Sequence, residues 1–410
     1  AKAPTGLILP DKVTEDVAAA IVDINLDGKQ DVIIGTGGGD FYNQAKPLQN
    51  RVYLQQDTTF VSGVWPDLYD NTAVVALADY NGDQRPDLFV GNQAITNDFG
   101  TAPKSYLLKN DGSSLTIDTA NDLGNPGMIT DAIWDDFNND GTPDLIVIGE
   151  WMPPRFYKNT AGRLEEVAMQ LDKLSGLWQS ISSFDIDQDG DIDYLLGNWG
   201  LNSKFKASAS SPMRMYKADF DNNGQSETIV TTQKEGAYYP LQGLNVLASQ
   251  LVSLNKKYAS YSDFAGQTIE EILTKEQLKN TTVLEVHTLA SGYLENNNGK
   301  FTFRPFENWM QVAPILAFCT YDFDQDGKDE VLAAGNYFGV KPFHGRLDAF
   351  SGAMISSVSD MVPGHQIGLD FADKSIRDLQ IIRLQNKTYL LATFNNRAAE
   401  IYQLNTLRSL

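Results

Sequence analysis

Six segments of the chain repeat one arrangement of oxygen-bearing side chains, at positions 1, 3, 5 and 9 of a short loop. The first three are Asp23, Asn25, Asp27 and Asp31; Asp79, Asn81, Asp83 and Asp87; and Asp136, Asn138, Asp140 and Asp144. The others are Asp185, Asp187, Asp189 and Asp193; Asp219, Asp221, Asn223 and Glu227; and Asp322, Asp324, Asp326 and Glu330. A hard cation such as Ca²⁺ takes six to eight oxygens at about 2.3–2.6 Å. Alternate residues of a tight loop aim three side-chain oxygens at one centre, and the carboxylate at position 9 closes the cage. The backbone carbonyl at position 7 adds another oxygen, from Lys29, Arg85, Thr142, Asp191, Gln225 and Lys328. Five loops place Gly at position 6, where the turn is sharpest: Gly28, Gly141, Gly190, Gly224 and Gly327. The second loop departs from this, with Gly82 at position 4 and Gln84 at position 6.

These loops are not EF-hands. An EF-hand needs a bidentate Glu at position 12 and a helix on each side. Position 12 here is apolar throughout: Ile34, Val90, Val147, Leu196, Val230 and Ala333. The flanks are short β-rich runs, such as 18–22 with 32–34 and 74–77 with 88–90. Each unit therefore reads as a β-hairpin whose turn is a calcium cage.

The loop starts fall at 23, 79, 136 and 185, a spacing close to 50 residues. Two further strands follow each hairpin, and four antiparallel strands per unit of this length is the pattern of a β-propeller blade. The reading is all-β, a seven-bladed propeller in one domain. Its blades lie near 17–62, 73–118, 129–168, 180–232, 233–306, 313–360 and 376–405, closed by an N-terminal strand at 5–9. Residues 244–280 break the strand pattern. Thr268 and Glu271 form a capping box that starts a helix over 269–279, and Leu244, Leu247, Leu251 and Leu254 have the spacing of a second. That insertion in blade 5 is either a packed decoration or a lid.

The loop consensus, an apolar run and then Gly resemble FG-GAP/VCBS repeats. Gly197-Asn-Trp-Gly-Leu-Asn202, Tyr293-Leu-Glu-Asn296 and Gly335-Asn-Tyr-Phe-Gly-Val-Lys-Pro342 resemble more narrowly the C-terminal propeller of large Bacteroidetes VCBS and cartilage-acidic-protein-like surface proteins. That resemblance implies a propeller with calcium in its hairpin loops and an extracytoplasmic home, at the cell surface or outer membrane. The literal Phe-Gly…Gly-Ala-Pro motif is missing, so integrin-type adhesion does not transfer.

Composition narrows the function classes. The formal charge is −21, which opposes nucleic acid, whose binders release counterions through basic surfaces. No apolar run reaches the roughly 18–20 residues of a membrane-spanning helix. The chain opens without a signal peptide, as if processed or cut from something longer. Cys319 is the one cysteine, in a strand-like run, and reads as a small buried hydrophobe. Twenty carboxylates occupy the cage positions, and six structural Ca²⁺ would bring −21 to −9.

If the cages lie on one side of the blades, the connections after each second strand emerge on the other. They carry Phe41, Tyr42, Trp151, Trp199, Lys204, Tyr337, His344 and Arg346. Aromatic rings among polar donors suit a protein hot spot or sugar rings; the bland alternative is packing between blades. No catalytic residues are assigned. Gly35-Thr-Gly-Gly-Gly39 lacks the Lys-Ser/Thr of a phosphate loop, no Gly-x-Ser-x-Gly elbow is present, and His287, His344 and His365 are irregularly spread. Three roles remain. The first is a protein-binding scaffold in a surface or outer-membrane assembly. The second is a glycan-binding module of polysaccharide capture. The third is a polysaccharide lyase or hydrolase.

Overall fold

The computed structural model describes residues 13–385 and 387–404. The expected strand at 5–9 lies outside them, as does Asn386 of the last hairpin turn. Among the described residues the strands form seven antiparallel sheets. Five contain a meander of strands paired in chain order. The first holds β1 (Glu15–Val22), β2 (Asp31–Gly37), β3 (Arg51–Gln56) and β4 (Thr59–Ser62). The second holds β5 (Asn71–Ala78), β6 (Asp87–Ala94), β7 (Tyr106–Asn110) and β8 (Leu115–Ile117). In the third, β9 (Met128–Asp135), β10 (Asp144–Met152), β11 (Arg155–Thr160) and β12 (Arg163–Val167) pair in order. A two-residue strand, β13 (Gly176–Leu177), follows.

The next two sheets are nested. β14 (Ser180–Phe184) and β15 (Asp193–Gly197) form a hairpin, after which the chain leaves to build another sheet. That inserted sheet contains β16 (Met213–Ala218), β17 (Glu227–Lys234) and β18 (Ala237–Pro240), with β19 (Thr282–Val286) alongside β16. The chain then returns as β20 (Gly292–Asn297) and β21 (Lys300–Pro305), and Tyr194 is placed opposite Leu294. The expected division at 180–232 and 233–306 is therefore corrected. The third strand of the fourth sheet is supplied by residues almost a hundred positions on, a pairing that local spacing does not encode. The last two sheets are β22 (Ile315–Tyr321), β23 (Glu330–Gly335), β24 (Ala353–Ser357) and β25 (Asp360–Pro363), then β26 (Ile376–Leu384), β27 (Lys387–Phe394) and β28 (Arg397–Gln403).

The described residues divide into two compact units, one of 13–175 with 207–287, the other of 176–206 with 288–404. In the first unit β1, β5 and β9 pack side by side. Ile33, Leu88, Val90 and Leu108 fill the space between the first two sheets, and Phe89, Ile129, Leu145 and Val147 that between the second and third. In the second unit β14, β22 and β26 pack in the same way, around Leu195, Ile315, Val331 and Ile355, then Leu332, Phe371, Ile376 and Leu390. Stacking neighbours is what buries both faces of such short sheets.

The helical insertion breaks into five pieces: α1 (Leu244–Gln250), α2 (Leu254–Lys257), α3 (Tyr261–Phe264), α4 (Ile269–Ile272) and α5 (Lys275–Lys279). Two helices had been expected. The Thr268–Glu271 capping box is present, but Leu273 leaves helical geometry and Thr274 begins a second box with Gln277. A side-chain oxygen that caps a new helix competes with continuing the old one. Leu244, Leu247, Leu251 and Leu254 are all buried with Tyr216, Phe220, Ile229 and Tyr238 of the inserted sheet. The helices form that sheet's hydrophobic cover.

Candidate metal centres and aromatic cluster

All six acidic loops adopt one backbone form. Positions 4 and 6 are left-handed in each: Leu26 and Gly28, Gly82 and Gln84, Asn139 and Gly141, Gln188 and Gly190, Asn222 and Gly224, Gln325 and Gly327. The second loop, which moves its glycine, keeps the geometry and accepts φ 66° at Gln84. A left-handed residue with a Cβ carries strain, so something else in the loop holds that turn.

The hydrogen bonds show what does. In every loop the position 1 carboxylate accepts from the backbone N–H groups of positions 5 and 6, at 2.6–3.1 Å. Position 5 accepts from the N–H of position 7, at 2.8–3.1 Å. Position 2 is a buried apolar plug in each: Ile24, Tyr80, Phe137, Ile186, Phe220 and Phe323. The position 9 carboxylate is buried as well, in Asp31, Asp87, Asp144, Asp193, Glu227 and Glu330.

Burying an ionised carboxylate is costly unless donors or a cation compensate it. Asp193 accepts from the N–H of Asn296 at 2.7 Å and of Ile186 at 3.1 Å. Asp31 accepts from Gln55 and Ile24 in the same manner. In the second and third loops Asn81 and Asn138 turn their amides onto Asp87 and Asp144, supplying part of the positive charge a cation would bring. Burial pushes Asp87, Asp144 and Asp193 each up to about 6, against the pull of the backbone N–H bonds. Glu227 and Glu330 are raised for the same reason.

Three loops bring three carboxylates within 4.8 Å of one another: Asp185, Asp187 and Asp193; Asp219, Asp221 and Glu227; Asp322, Asp324 and Glu330. All-oxygen donors of high negative charge fit a hard divalent cation.

Side-chain amides from elsewhere clamp the plugs, a feature the loop spacing does not announce. Asn110 donates to the Ile24 carbonyl at 2.7 Å, and Asn159 to that of Tyr80 at 2.8 Å. In the inserted sheet Gln277 of α5 does the same to Phe220, at 2.7 Å. Asn110, Asn159 and Asn296 also give their backbone N–H to a position 9 carboxylate, and their side-chain oxygens accept from Gly112, Gly162 and Gly299. The sequence signal is an aromatic residue three or four places before Asn, with Gly two or three places after it.

Of the expected ligand face, Trp199, Lys204, Tyr337 and His344 come together in the second unit. Trp199 lies 5.4 Å from Tyr337 and meets Phe205 edge-on at 5.5 Å, while Phe205 stacks on His344 at 4.8 Å. Phe343 is exposed beside His344 at 4.4 Å, with the Lys204 ammonium 3.9 Å over its ring. The indole N–H of Trp199 and Nδ1 of His344 are buried with no hydrogen-bond partner. Arg346 lies over Phe338 and pairs with Asp348 and Asp373. Phe41, Tyr42 and Trp151 belong to the first unit. Tyr42 is exposed at the edge of a cleft that also holds Asp70 and Tyr106, and Trp151 lines another with His287. Cys319 is buried and free, its thiol pushed up to about 11 by desolvation.

The model of the FG-GAP-like repeat matches residues 23–90 and 136–196, which hold the first four acidic loops. The chain carries FG-GAP-like repeats. Its fold is accordingly all-β and of the β-propeller type. No curated protein matches. Among solved structures the chain is similar to the V. cholerae biofilm matrix protein Bap1, at 11% identity and TM-score 0.35, covering 98% of this chain and 89% of that one. It is also similar to BBS1N, solved in complex with ARL6DN, at 10% identity and TM-score 0.37, covering 96% and 93%. Saccharomyces cerevisiae Sqt1 gives 9% identity and TM-score 0.40, with 97% and 84% covered. No described helix is long and apolar enough to cross a membrane.

Proposed function

We propose that this FG-GAP-repeat chain is a calcium-stabilised extracytoplasmic scaffold that binds a protein partner in a cell-surface or outer-membrane assembly. The observation that carries the calcium is the common geometry of the loops, each with a buried carboxylate at position 9 and, in three, a triad of acidic side chains. Six ions fit six loops, held by the side chains at positions 1, 3, 5 and 9 and the carbonyl at position 7. Weak, rigid sites of this kind suit the millimolar calcium found outside cells.

The partner surface is the Trp199–Tyr337–His344 cluster. Aromatic rings and a lysine around the unpartnered Trp199 N–H and His344 Nδ1 are the composition of an interface hot spot. The test is capture from a surface-membrane extract in millimolar calcium, identified by mass spectrometry. Wild type is compared with Trp199→Ala/Tyr337→Ala and with Lys204→Ala/Phe343→Ser, whose exposed positions leave the core intact. A stoichiometric protein lost in both variants supports the reading, and one retained by both overturns the assignment of the surface. The second reading, glycan capture, is favoured by a different place, the cleft beside Trp151.

A further inference from the structure

A cleft of about 510 Å³ in the first unit is lined by Trp151, Ser175, Arg214, Tyr216, Glu285 and His287, among others. This is within the size range of small-ligand sites. His287 sits at its inner wall, its side chain 5% exposed. The Ser175 hydroxyl donates its one proton to the Glu285 carbonyl at 2.6 Å. It also lies 2.6 Å from Nδ1 of His287, and there it can only accept. Nδ1 therefore carries the imidazole proton, and Nε2 is a bare acceptor.

Nothing hydrogen-bonds to that Nε2. It faces Oε2 of Glu285 at 3.4 Å. Arg214 does not relieve the contact, because its Nε and Nη2 both go to Oε1, at 2.9 and 2.8 Å. With the proton on Nδ1, Nε2 and Oε2 are two acceptors 3.4 Å apart at a wall of the cleft, and no hydrogen bond joins them. Leaving the buried Nε2 unpaired is costly, and a group that donates to it and to the part-exposed Glu285 carboxylate removes that cost. Burial lowers the His287 pKa, as does Lys173, while Glu285 pulls the other way.

Trp151 is the second independent sign. It has φ 61° at the end of β10, a left-handed conformation that a bulky aromatic adopts only under constraint. Strain of this sort gathers at ligand sites. An indole beside a hydroxyl-seeking pair of acceptors is the chemistry of a pyranose: ring C–H groups against the aromatic face, hydroxyl protons on the acceptors. The overall charge of −21 argues against uronic or sulfated sugars.

We infer that the cleft between Trp151 and the His287–Glu285 acceptor pair binds a neutral pyranose residue, one sugar hydroxyl donating at that pair. The Ser175–His287–Glu285 grouping is not a hydrolytic triad, since the hydroxyl is spent on a backbone carbonyl and lies on the Nδ1 side. The inference rests on the glycan reading above and specifies its site.

The experiment titrates the full chain, in millimolar calcium, with methyl glycosides of glucose, galactose, mannose and N-acetylglucosamine. Tryptophan fluorescence and histidine ¹⁵N spectra are the readouts, and three histidines keep the latter readable. The expected result is saturable millimolar binding of at least one glycoside and a shift of the unprotonated Nε2 resonance of His287. Binding falls about tenfold or more, a step of roughly 1.4 kcal/mol, in both Trp151→Asn and Glu285→Gln. Asn tolerates the left-handed backbone, and Gln donates to Nε2 internally; the melting point confirms that each is folded. Binding that is unchanged in both variants overturns the cleft but leaves glycan capture standing. No binding of any glycoside overturns both. An Nε2 already protonated in the free protein overturns the acceptor pair.

Discussion

The side-chain amide of Asn159 donates to the carbonyl of Tyr80 at 2.8 Å across 79 residues of chain. The third sheet thereby holds the plug of the second sheet's acidic loop, while the Asn159 N–H holds Asp144 of its own. Asn159 is buried, so Asn159→Ala leaves a buried carbonyl without its donor. The expected loss is about 1–3 kcal/mol in urea unfolding. Asn297→Ala, at the exposed end of its strand, serves as the control and changes stability by less than about 0.5 kcal/mol.

Chelation tests the cages directly. Excess EGTA is expected to lower the melting temperature strongly, because ions that bind only the folded chain each contribute about 2.7 kcal/mol at a hundred times their dissociation constant. An unchanged melt in EGTA sinks the structural role of calcium. Asp322→Asn with Asp324→Asn strips two acidic ligands from the sixth loop. Titration calorimetry should then count one ion fewer than in wild type.

Asp70 provides a pH dependence away from the loops. Burial raises its pKa to about 6, partly offset by the hydrogen bond from Tyr106. The folded carboxyl keeps its proton at pH values where the unfolded one has lost it. Stability therefore falls as pH climbs from about 4 to 6, and the penalty persists above that. Asp70→Asn should make this slope shallower by the contribution of one carboxyl and be the more stable chain at pH 7, by at most about 3 kcal/mol. Equal pH slopes in the two proteins would refute the assignment.

Cys319 should resist alkylation. With its thiol pushed up to about 11 and its side chain buried, it presents little thiolate at pH 8. Iodoacetamide is expected to leave the native chain unlabelled over hours and to label it within minutes in urea. Fast native labelling would show that the strand carrying it opens readily.

The helical caps give a smaller effect. Thr274 accepts from the Gln277 N–H and starts α5, whose Gln277 clamps Phe220. Thr274→Ala should cost about 1 kcal/mol, read by thermal melting.

Much of the molecule is local in origin and hence readable along the chain. Positions 1, 3, 5 and 9 carry oxygens because a loop around a cation needs them there, and the apolar runs at either side can only pair as a hairpin. What resisted reading was the partner of each element. β15 pairs with β20 rather than with β16, and the choice depends on which apolar faces meet, not on the residues between them. Thr274 looked like helix interior because the competition between cap and continuation is decided by packing around Leu273. The aromatic residues of the connections were visible, but only the folded chain gathers Trp199, Tyr337 and His344 and leaves Arg346 to its own ion pairs.

The sequence by itself determined the repeat, the acidic loops and the strand character of their flanks, since each depends on contacts within about ten residues. Tertiary structure alone decided which amide clamps which plug, which sheet is inserted in which, and that Nε2 of His287 lies 3.4 Å from Glu285. Those relations join residues far apart in the chain, so they exist only once the backbone has been fixed by the burial of its apolar faces.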